Sequence, residues 1–356
     1  MSLIPLRVGL LGFGFASQTF HAPLIQSVPG LRLAAVSSSQ PAKVAQALGG
    51  GVEVFDSAEQ LIDQAEVDLV VVPTPNATHH PLARAALLAG RHVVVDKPFT
   101  LDAAQAQDLV ALARTQERVL SVFHNRRWDA DFLTVRRLLA AGTLGSVRHA
   151  ALHFDRFRPQ VRQRWREDDV PGAGLWMDLA PHLLDQALQL FGPPAALRAD
   201  IAALRPGART NDHFDATLHY PDGLRVRLHA SMLSAAPAPR FALHGTVGSF
   251  VKWGEDPQED ALKAGRRPDT DAGWGIDPRP GELTLADGDA LATRAVPSER
   301  GDQSSFYRQL VDAIQGIGPN PVEPDDALQV MRLLDLGVRS AREGRLLDMD
   351  SGRRGA

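Results

Sequence analysis

Val8-Gly9-Leu10-Leu11-Gly12-Phe13-Gly14-Phe15-Ala16-Ser17 is a short apolar run that breaks at a glycine turn and continues into a helix-forming stretch. A run of this kind, closed by Gly-x-Gly and followed by a helix, is the strand–turn–helix on which doubly wound α/β sheets bind a dinucleotide. Each position has a physical reason. Gly12 lets the chain reverse tightly, Gly14 lets backbone approach the pyrophosphate, and the helix start offers unpaired N–H groups to negative charge. Phe13 and Phe15 complete the expected contact surface. Ser17 stands where a third glycine is usual; it is small enough for close helix–strand packing, and its hydroxyl can cap the helix or touch phosphate.

Five more apolar runs follow, at Leu31–Val36, Val52–Phe55, Val67–Val72, His92–Val95 and Val119–Val122, separated by helical stretches such as Leu82–Leu88 and Ala103–Ala113. This alternation predicts an N-terminal Rossmann domain, a doubly wound parallel sheet over residues 1–123. After Phe123 the pattern changes. A helix at about Asp129–Ala141, ending at Gly142, precedes long alternating strands at Val147–Phe157, Ala196–Leu204, Phe214–Tyr220, Leu224–Met232 and Arg240–Gly245. Residues 124–356 are therefore expected to form a C-terminal α+β domain with a large, mostly antiparallel, open-faced sheet. Glu255–Pro280, rich in charge, Gly and Pro, predicts a long surface loop. Amphipathic helices at Ser304–Ile314 and Pro324–Ala341, within residues 301–343, are expected to pack back on the body.

The 356 residues carry a net charge of -4 with interspersed signs, which argues against nucleic acid, and contain no cysteine, which removes thiolate catalysis and cysteine-ligated metal. No apolar run approaches the ~20 residues of a membrane span, and Met1-Ser2-Leu3 leads into a strand without a secretory pattern, so a cytoplasmic protein is expected. Twelve histidines are present, but none forms a helical pair with a carboxylate base, and no metal site is predicted.

The second strand ends Ser37-Ser38-Ser39-Gln40, with Lys43 one turn on. An acid at this point would bind the ribose 2′-hydroxyl of NAD; hydroxyls and a lysine instead favour NADP, with NAD as the alternative. The serines equally suit capping of a helix beginning near Pro41. The fourth strand runs into Pro73-Thr74-Pro75-Asn76 and the fifth into Asp96-Lys97-Pro98. Both lie at the carboxyl edge of the sheet, where such folds bind ligands. Pro73, Thr74 and Asn76 are expected to line the cofactor, unless the prolines merely stop the strand, and Lys97 is the first catalytic candidate. In the second domain Asp178 and His182 have i, i+4 spacing. Pro181 leaves two geometries open: a helix containing both residues, or one starting near Leu179 and capped by Asp178.

The glycine turn followed by Phe20-His21, Asp96-Lys97-Pro98, and Asp178 with His182 and Asp185 together resemble the glucose-fructose oxidoreductase and inositol dehydrogenase family, over almost the whole chain. His124–Asp129, Arg162–Arg166 and Gln258–Pro268 make the chain most similar to the NADP-dependent scyllo-inositol dehydrogenase-like group. The resemblance implies that Lys97 hydrogen-bonds the reacting hydroxyl, His182 is general acid or base, and Asp178 orients substrate or histidine. It also implies that Arg126, Arg127 and Trp128 lie near the cofactor and that Arg162, Trp165 and Arg166 form a substrate rim. As chemistry, Arg126, Arg127 and Trp128 suit a surface ion-pair cluster equally well. Ala16, Ser17 and Ala180 stand where relatives often carry Gly, and Ser39 near where many carry arginine.

The expected activity is hydride transfer between NADP(H) and a secondary alcohol or ketone of a cyclitol, polyol or sugar, in the cleft between domains. The alternatives are a non-catalytic dinucleotide sensor of the same fold and a reductase of a non-sugar carbonyl or imine. The open sheet face predicts a homodimer or homotetramer.

Overall fold

The structure is a computed structural model that describes residues 4–236 and 238–349; of the segment Met1–Arg7, which carries no secretory pattern, Met1–Leu3 lie outside the described residues. The chain forms two compact units. The first comprises Met1–Trp128, Pro257–Gly275 and Asp302–Leu328, the second Asp129–Asp256, Ile276–Gly301 and Gln329–Ala356.

In the first unit, β1 (Leu6–Leu11), β2 (Leu31–Ser37), β3 (Glu53–Phe55), β4 (Leu69–Val72), β5 (His92–Val95) and β6 (Leu120–Val122) make a six-stranded sheet in the order β3-β2-β1-β4-β5-β6. Every pair is parallel. The order reverses between β1 and β4, the switch point at which carboxyl strand ends leave room for a ligand. β4 is buried at every position, which explains its unbroken Leu-Val-Val-Val run. A π-helical turn at Ser17–His21 leads into α1 (Ala22–Gln26), and α2 (Pro41–Leu48), α3 (Ala58–Gln64), α4 (His79–Leu88) and α5 (Ala103–Thr115) make the later crossovers. Asp102 starts α5 by accepting the Gln105 N–H at 2.8 Å, a side-chain cap for an otherwise orphaned donor.

In the second unit, α6 (Ala130–Ala140) and α7 (Leu175–Phe191) accompany a nine-stranded sheet. Its strands are β7 (Val147–His153), β8 (Ala196–Ala202), β9 (His213–His219), β10 (Arg225–Ser231), β11 (Phe241–Gly245), β12 (Gly248–Lys252), β13 (Gly281–Asp287), β14 (Ala290–Val296) and β15 (Leu347–Asp348), in the order β14-β13-β12-β11-β7-β10-β9-β8-β15. β10 runs parallel to β7; the other described pairs are antiparallel. Phe214, Ala216 and Leu218 of β9 and Val226, Leu228 and Ala230 of β10 are buried in alternation, on strands packed against α7.

Several expectations change. β12 to β15 were not anticipated: β14 is exposed at all but its last position, so it carries no alternation, and β15 is only two residues long. Glu255–Pro280 is not simply a surface loop. It contains α8 (Gln258–Lys263), and Ala261, Leu262 and Trp274 are buried. Six residues are too few to display a helical period, and the burial comes from packing against the Ser17–His21 turn. The chain leaves the first unit after Trp128, five residues beyond the expected 123, and returns to it at 257–275 and 302–328. α9 (Ser304–Ile314) belongs wholly to the first unit, whereas α10 (Pro324–Glu343) is divided at Leu328. Among the described residues no helix is long and apolar enough to cross a membrane.

Candidate active site

At the glycine turn, Gly12 has φ +79°, and only the Thr74 methyl, at 3.7 Å, would approach a β-carbon there. Nothing lies within 4 Å of the corresponding position on Gly14. The Gly12 N–H donates to Ser37 Oγ at 2.9 Å, and Ser17 Oγ donates to the Gly12 carbonyl at 2.8 Å. Both serines are buried, so their hydroxyls build the turn. Phe13 is buried, whereas Phe15 is 63% exposed with its ring edge-on to Phe20. At the β2 exit Ser38 Oγ accepts the Gln40 N–H at 3.0 Å, and Ser39 and Lys43 are exposed. No carboxylate lies between Ser37 and Lys43. The open space over Gly14 fits a dinucleotide phosphate brought close to the backbone of the turn. A cavity of about 270 Å³ beside the turn is lined by Phe13, Gln18, Gln26, Leu48, Arg266 and Arg267, among others.

The exits of β4 and β5 are tied together by His79. Its Nδ1 lies 2.8 Å from the Pro98 carbonyl and its Nε2 2.9 Å from the Thr74 carbonyl. Carbonyls only accept, so whichever ring nitrogen carries hydrogen donates to the carbonyl it faces. Thr78 Oγ1 donates to Thr74 Oγ1 at 2.7 Å, and Asn76, just past Pro73 and Pro75, is buried in a short 3₁₀ turn. Half-buried Lys97 follows Asp96, whose Oδ1 accepts the Lys97 backbone N–H at 2.7 Å. Asp96 Oδ2 lies 3.7 Å from Nε2 of His21, and His21 Nδ1 lies 2.6 Å from the Tyr307 hydroxyl. Burial opposes ionisation of Asp96, but His21, Lys97 and His79 outweigh it and hold the carboxyl down at about 2. Burial, and secondarily the Asp96 charge, push Tyr307 well above the usual tyrosine range.

In the second unit α7 begins at Leu175 and passes through Pro181, so Asp178 lies in its first turn and His182 one turn later on the same face. Of the two geometries that Pro181 left open, the longer helix is the one formed. Its start is fixed by Asn211, whose backbone and side-chain oxygens accept the Leu175 and Trp176 N–H groups at 2.8 and 2.7 Å. Gly174, at φ +91°, permits this: a β-carbon there would fall 2.3 Å from Asn211 Nδ2. His182 is 6% exposed, its ring centroid 6.1 Å from that of Phe154. Arg166 Nε lies 3.6 Å from Asp178 Oδ1, and its guanidinium stacks over Trp165 at 4.5 Å. Arg162 is exposed.

Buried Arg205 organises this end. It bonds Asp212 at 2.8 Å, Glu167 at 3.0 Å and the Arg158 and Gln160 carbonyls at 3.0 and 3.2 Å. Burial works against the Glu167 anion, but the Arg162 N–H and the Arg164 guanidinium, with Arg205, hold it below the usual range.

Arg126 is buried and its guanidinium meets Glu259 of α8 at 2.5 Å, Arg127 meets Asp326 at 3.1 Å, and Trp128 packs edge-on to Phe306 of α9. These contacts hold the returning segments within the first unit. His21, His79, Tyr307 and Arg205 were not singled out from sequence for these positions. The one available signal was Phe20-His21 after the glycine turn; Tyr307 is 286 residues from its partner. Among the described residues no group of three or more His, Asp or Glu is arranged to hold a metal ion.

Residues 6–124 match the model of an oxidoreductase family with an NAD-binding Rossmann fold, and residues 136–349 match that of the C-terminal alpha/beta domain of the same family. The chain is 53% identical over 338 residues to the uncharacterized oxidoreductase YdgJ of Escherichia coli, covering 95% of this chain and 96% of YdgJ. It is 35% identical to the scyllo-inositol 2-dehydrogenase (NADP(+)) IolW of Bacillus subtilis, over 97% of this chain and 96% of IolW. The solved structure of YPO2259 from Yersinia pestis superposes with a TM-score of 0.92 at 50% identity, over 97% of each chain.

Proposed function

This chain belongs to the GFO/IDH/MocA oxidoreductase family, and on that premise we propose that it transfers hydride between NADP(H) and a secondary alcohol or ketone of a cyclitol, polyol or sugar. The observation that carries the proposal is the pairing of an open glycine turn, free of any acid at the β2 exit, with a lysine held at the β5 exit of the same sheet.

When bound, the nicotinamide supplies or accepts the hydride. The chain's own residues handle position and protons. Lys97 is cationic beside an ionised Asp96 and stabilises negative charge developing on the substrate oxygen. His182 takes up or returns the hydroxyl proton, and Asp178, one helical turn away, orients the imidazole or a neighbouring substrate hydroxyl. Ser39 and Lys43 favour the 2′-phosphate, in keeping with IolW, a relative named as an NADP(+) enzyme. The identity to YdgJ, which exceeds that to IolW, leaves the cyclitol as one member of the substrate class and not its definition.

The test is a paired titration of NADP and NAD, followed by a screen of cyclitols, polyols and sugars at the nicotinamide absorbance band. Tight dinucleotide binding with no turnover on any of them would favour a sensor over an enzyme.

A further inference from the structure

The π-helical turn at Ser17–His21 is fastened to the glycine turn at one end and faces the β5 exit at the other. Ser17 Oγ donates to the Gly12 carbonyl at 2.8 Å, Gln18 Nε2 to the Phe13 carbonyl at 2.6 Å, and the Gln18 N–H to the Gly14 carbonyl at 3.1 Å. At the far end His21 is fully buried, and its Nε2 lies 3.7 Å from Asp96 Oδ2. That is beyond hydrogen-bond length, and Nε2 makes no hydrogen bond among the described residues. The rest of the ring is fixed. Nδ1 lies 2.6 Å from the Tyr307 hydroxyl, and Phe123 packs tilted against the imidazole with ring centroids 4.4 Å apart.

A buried nitrogen stopped just short of a carboxylate costs desolvation with no bond to offset it. Close packing by Phe123 and Tyr307 blocks rotation of the ring, so Nε2 reaches Asp96 only when the backbone of the turn moves. Shortening the gap to a charge-assisted bond of about 2.8 Å needs a shift of about 1 Å, the scale on which backbone at a binding site moves when it is filled. The gain would fall on Lys97. Asp96 Oδ1 already accepts the Lys97 backbone N–H at 2.7 Å, so a bond at Oδ2 would hold both carboxylate oxygens and fix the peptide from which the lysine side chain leaves. His79 Nδ1, 2.8 Å from the Pro98 carbonyl, secures the other side of the same segment.

Resting on the assignment of a dinucleotide to the glycine turn and of charge stabilisation to Lys97, we propose that His21 is the positioning residue of that lysine. With the glycine turn occupied, the Ser17–His21 turn advances, Nε2–H closes on Asp96 Oδ2, and Lys97 is set for substrate only once cofactor is in place. The closed contact requires a hydrogen on Nε2, which the neutral Nε2–H ring and the imidazolium both supply. By linkage, the contact strengthens dinucleotide binding by the same factor by which the dinucleotide favours the contact.

The experiment is NMR on the full-length protein with isotope-labelled histidine rings, titrated with whichever of NADPH and NADH binds the more tightly. The His21 signals are assigned by their loss in His21→Gln. At saturation the His21 Nε2 resonance is expected to shift and its proton to become protected from exchange with water. In fluorescence titrations His21→Leu should weaken dinucleotide binding about fivefold or more, and His21→Gln, whose amide N–H can reach the same oxygen, should recover most of it. His21→Leu/Asp96→Asn should bind no more weakly than Asp96→Asn alone. An Nε2 signal that saturation leaves unmoved, or losses at the two positions that simply add, would overturn the proposal. The spectra of the parent protein decide the question without any variant having to fold. Failure of both dinucleotides to bind the parent would remove the cofactor assignment and this proposal with it, whereas tight binding with an unmoved His21 removes this proposal alone.

Discussion

The hydroxyl of Tyr307 lies 2.6 Å from Nδ1 of His21, whose other ring nitrogen faces Asp96 at 3.7 Å, one residue before Lys97. Burial keeps Tyr307 as a hydroxyl, so it stays within hydrogen-bonding reach of Nδ1 and closes the inner side of the ring. Tyr307→Phe should orphan a buried ring nitrogen, lower stability by about 1–3 kcal/mol, and move the acid limb of the kcat–pH profile as the Asp96–Lys97 pair loosens. Urea unfolding and a pH profile check both. A profile that stays in place would reduce the pair to packing.

Asp96 supplies a pH dependence with a definite sign. Its carboxyl sits at about 2 against an ordinary 3.8, so between these values the unfolded chain binds a proton that the native protein does not. Stability from this group is present above about 4 and disappears as pH falls through 2, amounting to about 2 kcal/mol. Urea unfolding from pH 2 to 5 should show a shallower acid limb in Asp96→Asn than in the parent.

Lys97→Met and His182→Ala should each lower kcat by about a hundredfold or more, while NADPH fluorescence titration gives a near-normal Kd, because neither side chain belongs to the glycine turn. Near-full activity in both variants would remove the proposed proton and charge roles.

Cofactor choice is expected to turn on the β2 exit. Ser39→Asp places a carboxylate where a 2′-phosphate is proposed to sit, and the NADP-to-NAD ratio of kcat/KM should fall by about tenfold or more. An unmoved ratio would place 2′-phosphate discrimination elsewhere.

Arg205→Met would leave Glu167 and Asp212 as buried acids without their shared cation. A loss of about 3–5 kcal/mol is expected in chemical unfolding, and Glu167→Gln in the same chain should restore part of it. An additive double variant would deny the coupling.

The parallel sheet was legible because buried strands write themselves as short runs such as Leu69–Val72, and because Gly12 and Gly14 sit where a strand must turn into a helix. Lys97, Asp178 and His182 were legible as residue types at strand-end and helical spacing. The supports around them were not. His79 reads as one of two histidines at a helix start, yet both of its nitrogens face backbone carbonyls from two different loops. Arg205 gathers Glu167 from 38 residues away, a relation with no local periodicity. Pro181 left the start of the helix open for a related reason: local propensity disfavours proline inside a helix, whereas α7 is buried over Leu179–Ala187 and tertiary packing prevails. α8 was hidden because its apolar pair, Ala261 and Leu262, is meaningful only against the turn it covers.

The return of residues 257–275 and 302–328 to the first unit bears on biosynthesis. When the ribosome has released the six strands, His21 still lacks Tyr307 and the Ser17–His21 turn is still uncovered. The nucleotide-binding sheet is thus translated first and finished nearly last, and an N-terminal fragment ending near Trp128 would emerge with its lysine's support incomplete.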